Sequence, residues 1–169
     1  MIYQSTFSES EKIEFMSEAM KEAENAAALG EVPIGCVIVR DKTIISRGYN
    51  LREATQDATT HAEITAIRSA NNQLKSFRLE ECALFVTVEP CIMCAGGILL
   101  SRIPEVYFGA SNNKGGACGS VIDVMNIKEV NHAPYIEGGV LAERSSDLMK
   151  AFFKNRRGAN KRNYSSEEK

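Results

Sequence analysis

No stretch of the 169 residues stays apolar for long: the longest, around Ala95 to Leu100, is far short of the roughly 20 residues that span a bilayer. Residues 1–12 lack a basic segment followed by an apolar one, so no secretory signal of the usual form is visible and a cytoplasmic location is expected. Cysteine is sparse and odd in number, five in all, which in a chain without such a signal argues against a disulfide framework. Histidine is scarcer still, with only His61 and His132. The glycine-rich stretch Gly109 to Gly119 lacks a following Gly-Lys-Ser/Thr, which excludes a phosphate-binding loop of that type. No repeat or disordered bias is present; 44% hydrophobic and 25% charged residues are ordinary for a globular protein. The length then suits a single domain over residues 1–169.

What is present is an uneven charge. Residues 150–169 hold seven basic residues against Glu167 and Glu168, a tail of +5 on a chain of −2, so the remainder carries −7. Ser8 to Glu11 has the spacing of a capping box, and Ile13, Met16, Met20, Ala23 and Ala27 recur at helical period up to Gly30, which predicts a helix over 9–29. Two β-rich runs, from Ile34 to Val39 and from Thr43 to Tyr49, flank Arg40-Asp41-Lys42 as a hairpin. After a polar loop a second helix opens at His61, with Ile64, Ile67 and Ala70 on one face. Cys82 to Val88 is a buried strand running into a helix from Pro90 to Arg102; Val106 to Phe108 is a fourth strand. Leu141, Leu148, Met149, Phe152 and Phe153 mark a C-terminal helix over about 141–162. The order α-β-β-α-β-α-β-α predicts an α/β protein, a mixed sheet with helices on both faces.

Catalytic zinc usually takes three protein donors and leaves one position for water, and the obvious set here is His61, Cys91 and Cys94. Cysteines at i and i+3 share a helix face, where first-turn amides favour thiolates. Glu63 lies two residues from His61, not in the i, i+4 relation of a metalloprotease helix, and reads as an unligated acid and base. Taken alone, Cys91 to Cys94 is as readily structural zinc or a redox pair; the redox reading leaves His61 and Glu63 unused. Cys36, Cys82 and Cys118 read as small buried hydrophobes, and Asn50 as a turn residue after the second strand.

His-x-Glu followed by Pro-Cys-x-x-Cys is the known signature of zinc nucleobase deaminases, a recognised pattern here. Glu31 to Gly35, Thr60 to Glu63, Val88 to Gly96, Ser101 to Ile103, Tyr107 to Ala110 and Phe152 to Arg157 together resemble the tRNA-specific adenosine deaminase family of the cytidine deaminase-like superfamily. The resemblance implies a three-layer α/β/α fold, a homodimer, one Zn2+ per subunit on His61, Cys91 and Cys94, and Glu63 as proton shuttle. It implies Asn50 as a bond to the flipped base, and Ala62, Asn112, Lys114, Phe153, Arg156 and Arg157 as further substrate contacts. The expected reaction is adenosine to inosine at the first anticodon position, on an unpaired anticodon loop where flipping is least costly. Asn112 stands where many members have aspartate, and Ala133 where arginine is common. An amide still bonds a ribose hydroxyl but does not repel phosphate as a carboxylate does.

A dimer contact is expected along the helix after Cys94, where Ala95-Gly96-Gly97 permits close approach and Ile98, Leu99 and Leu100 cannot all face one core. Lys150, Lys154, Arg156, Arg157, Lys161 and Arg162 fall within thirteen residues free of acid, either a solvated face or the surface that meets the anticodon stem. Two other functions compete: a deaminase of free guanine, cytosine or a nucleotide, and a non-catalytic RNA-binding subunit with structural zinc.

Overall fold

The structure, a computed structural model, describes residues 3–166, with side chains up to Gly158; the side chains of Lys161 and Arg162, and residues 167–169 entirely, lie outside the described part. Helix α1 (Glu9–Ala28) starts where the capping box places it: Ser8 Oγ accepts from the Glu11 amide, and the Glu11 carboxylate accepts from the Ser8 amide at 2.8 Å. Phe15, Met16, Ala19, Met20, Ala23 and Ala26 form its buried stripe. Strands β1 (Gly35–Arg40) and β2 (Thr43–Tyr49) pair through Asp41 and Lys42, whose φ values of 49° and 58° give the mirror-image turn that suits strand twist. A short helix α2 (Arg52–Thr55) precedes α3 (Ala62–Leu74), β3 (Cys82–Val88) and α4 (Ile92–Leu100). Strand β4 (Glu105–Ala110), a long loop, β5 (Tyr135–Gly138) and α5 (Ala142–Ser166) complete the chain.

The sheet runs β2-β1-β3-β4-β5, antiparallel across β2, β1 and β3 and parallel across β3, β4 and β5. Alternation along the fully buried β3 sends Ala83 and Phe85 to α1, and Cys82, Leu84 and Val86 to α3 and α4. α5 joins the α1 side, where Ser145 crowds Gly109 and its hydroxyl donates to the Thr87 carbonyl. The result is a three-layer α/β/α architecture. None of the described helices is long and apolar enough to cross a membrane.

Three sequence expectations need correcting. α2 and β5 were absent from the expected order: α2 is a single turn without a side-chain cap, and β5 is a four-residue, half-exposed edge strand beside β4. The helix expected over Pro90–Arg102 is shorter at both ends. Cys91 is held extended by a bridge to Gly116, and the Pro90 carbonyl accepts from Ala117, while Arg102 turns to a φ of 60°.

Candidate active site

Two helix starts meet beyond the carboxyl end of β3. His61 caps α3 and Cys91 caps α4, both in extended backbone, with Cys94 in the first turn of α4. α3 reaches this position because Gly48 of β2 lets it approach: a Cβ there would lie 2.3 Å from the Ala62 carbonyl oxygen and 2.7 Å from the Ala66 amide. Ser46 Oγ donates to the Ala66 carbonyl at 2.9 Å, tying the same turn to the strand.

His61 Nδ1 lies 3.6 Å from the sulfur of Cys91 and 3.6 Å from that of Cys94, and all three donor atoms fall within 4.8 Å of one another. Tetrahedral zinc with bonds of about 2.3 Å to sulfur and about 2.1 Å to nitrogen separates those two donors by about 3.6 Å. The donor set therefore fits a zinc ion. The sulfurs differ as a pair sharing a proton: the Cys94 thiol, with the His61 ring beside it, brings Cys91 down to about 3, and the Cys91 thiolate with burial holds Cys94 far up. The same Cys91 sulfur raises His61. Glu63, one residue into α3, is buried beside this group, and burial, aided by the Cys91 charge, pushes its carboxyl up to about 7.

Next to His61 lies a pocket of about 110 Å³ lined by Val32, Ile34, Asn50, Arg52, His61 and Ala62. The structure thus brings Asn50 and Ala62 to the donor group. Asn50 is buried, its Nδ2 3.5 Å from a Glu31 oxygen and 3.4 Å from the Val32 carbonyl. The other Glu31 oxygen accepts from the Ala54 amide of α2 at 2.6 Å. A second buried acid, Glu89, directly precedes Pro90-Cys91. Burial raises its carboxyl, but hydrogen bonds from Asn112, Cys118 and Ser120 outweigh that and hold it below the usual range. Sequence reasoning gave neither acid a role, although both stand in the segments that carry the resemblance; no local pattern marks a carboxylate that will be buried.

The outer contacts are placed differently. Asn112 Oδ1 accepts from the Lys114 and Gly115 amides at 3.3 and 3.1 Å, so the side chain is engaged within its own loop, and Lys114 is exposed. Phe153, Arg156 and Arg157 are exposed on α5, and none of them lines the pocket beside His61. Phe152 is half-buried and meets Phe153 edge to face at 5.4 Å. It lines a groove of about 490 Å³ with Arg156, Leu148, Ala27 of α1 and Gly30 just beyond that helix.

The MafB19-like deaminase family model matches residues 10–157. A tRNA-specific adenosine deaminase of Streptococcus pyogenes serotype M18 (strain MGAS8232) is 46% identical over 148 residues, 88% of this chain and 93% of that one. That of Bacillus subtilis (strain 168) is 44% identical over 140 residues, covering 83% and 87%. A solved structure from a study of A-to-I editing by tRNA:A34 deaminases at the wobble position superposes with a TM-score of 0.78 at 40% identity, over 80% of this chain and 98% of that one. The fold is accordingly the cytidine deaminase-like one, and with relatives this similar matched along nearly their whole length, the chain belongs to the tRNA-specific adenosine deaminase family.

Proposed function

We propose that this protein hydrolytically deaminates adenosine to inosine at the wobble position of tRNA, with one zinc ion on His61, Cys91 and Cys94. The observation that carries the chemistry is the buried Glu63 carboxylate beside three converged zinc donors. A zinc ion supplies acidification and orientation of a water. Glu63 accepts a proton from the attacking water and passes it to the ring nitrogen next to the reacting carbon; it then takes the proton that remains on the added hydroxyl and gives it to the amine, which leaves as ammonia as the carbonyl forms. Asn50 and the Ala62 backbone hold the flipped base in the adjoining pocket, and Asn112 and Lys114 flank it. Phe153, Arg156 and Arg157 meet the anticodon stem from α5. The molecule is a single domain that works in the cytoplasm, where its tRNA is, as a homodimer. Support for the dimer comes from α4, where Ile92 is 62% and Leu100 75% exposed while Ile98 and Leu99 are buried, and Gly96 has open space before it.

The test is inosine sequencing of tRNA incubated with purified protein, alongside Glu63→Ala. Inosine at the first anticodon position, lost in Glu63→Ala at unchanged zinc content, is the expected result. Ammonia from free guanine or cytosine without inosine in tRNA overturns the substrate. A fully active monomer on sedimentation at micromolar concentration overturns the dimer.

A further inference from the structure

Glu89 is 2% exposed, and its carboxylate takes four hydrogen bonds from one loop. Oε1 accepts from the amides of Cys118 and Ser120, each at 3.0 Å; Oε2 accepts from the Asn112 amide at 3.0 Å and from the Ser120 hydroxyl. Three backbone N–H groups, from Asn112, Cys118 and Ser120, converge on one anion. Gly116 permits the approach, since a Cβ there would lie 2.5 Å from the carboxylate and 2.7 Å from the Asn112 carbonyl oxygen. The neighbouring backbone continues the seam: the Glu89 amide donates to Ala110, Ala117 donates to Pro90, and Cys91 bridges to Gly116. One end of the seam is the zinc donor Cys91, and the other is the loop that bears Asn112 and Lys114.

We infer that Glu89 is a positioning residue whose carboxylate fixes the substrate-facing loop, residues 111–120, relative to Cys91. The inference rests on the proposed function, because that reading gives the loop a substrate. A carboxamide in place of the carboxylate tests it. Glu89→Gln keeps the volume, and its single oxygen satisfies the two amides of Cys118 and Ser120 while its NH2 meets the Ser120 hydroxyl, which can turn to accept. The Asn112 N–H is then left facing a donor.

The experiment uses the full-length zinc-loaded protein with an anticodon stem-loop RNA as probe, and reads metal content, kinetics and amide hydrogen exchange. In Glu89→Gln, exchange at Asn112 should rise about tenfold or more, while α3 keeps its protection. KM for the RNA should rise about fivefold, with kcat within about twofold and zinc unchanged. Gly116→Ala, which presses on the same contact from the loop side, should shift KM in the same direction and keeps the test available if Glu89→Gln does not fold. Unchanged Asn112 exchange overturns the proposal whatever the activity. Loss of zinc in step with activity also overturns it, since the acid then serves the metal rather than the loop. Faster Asn112 exchange in a protein whose wild type does not act on the RNA supports the positioning and overturns the function instead.

Discussion

On the face of the sheet covered by α1, Phe7, Phe15, Phe85 and Tyr107 interlock with ring centroids 4.6–5.7 Å apart, and Gly35 of β1 lies against the α1 backbone at Ala19 and Ala23; on the opposite face, small residues, Gly48 of β2 with Ala62 and Ala66, bring α3 against the sheet beside an aliphatic cluster that includes Ile38, Ile67, Leu84 and Val86. Large rings bury much area each. Small residues bury less each but bring backbone against backbone, which fixes where α3 begins and hence where His61 and Glu63 stand. Both faces thus hold buried core and a close helix approach, but of the two approaches only the one on the small-residue side, at Gly48, leads to the donor group.

The largest change is expected at the end of the small-residue side. Cys91→Ser with Cys94→Ser should take zinc from about one per chain to almost none and abolish deamination, leaving far-ultraviolet dichroism close to wild type because the aromatic layer is intact. Undiminished zinc by metal analysis would reject these ligands.

Gly48→Ala comes next. The added methyl meets α3 backbone, and a shift of about 1 Å at a reacting group costs about a hundredfold in rate. Turnover per zinc-loaded molecule should fall by that order, with a loss of stability of about 1–3 kcal/mol. Wild-type turnover would show that the close approach does not set the site.

Phe85→Ala is the matching change on the aromatic side. Removing a fully buried ring should cost about 3–5 kcal/mol in denaturant unfolding, with kcat of the folded protein within about twofold of wild type. A drop in kcat as large as that of Gly48→Ala would erase the distinction between the faces.

The smallest effect is expected from Arg156→Glu with Arg157→Glu. These residues are exposed on α5, on the α1 side of the sheet, and test whether that side adds affinity as well as stability. KM for tRNA should rise several-fold, and each lost phosphate contact should lower the slope of log affinity against log salt by about 1. Zinc content should not change. An unaltered salt slope would return α5 to a solvated face.

The sequence by itself determined the elements whose signal is local. The capping box at Ser8, the apolar period of α1, the β-rich runs that flank Asp41 and Lys42, and the buried run of β3 are each written within a few residues. The candidate donors that the structure brings together, His61, Cys91 and Cys94, could be picked out for a related reason: few residue types bind zinc, and only two histidines and one closely spaced cysteine pair were available. The tertiary structure decided what depends on partners far along the chain. Glu31 and Glu89 are ordinary acids until residues 19 to 31 positions away, Asn50 and Ala54 for one and Asn112 to Ser120 for the other, supply their hydrogen bonds. β5 exists because β4 offers an edge, and Asn112 is committed to its own loop because Glu89 holds its backbone. His61 meets sulfurs 30 and 33 residues on only because Gly48 lets α3 close against β2, an approach that no local spacing encodes.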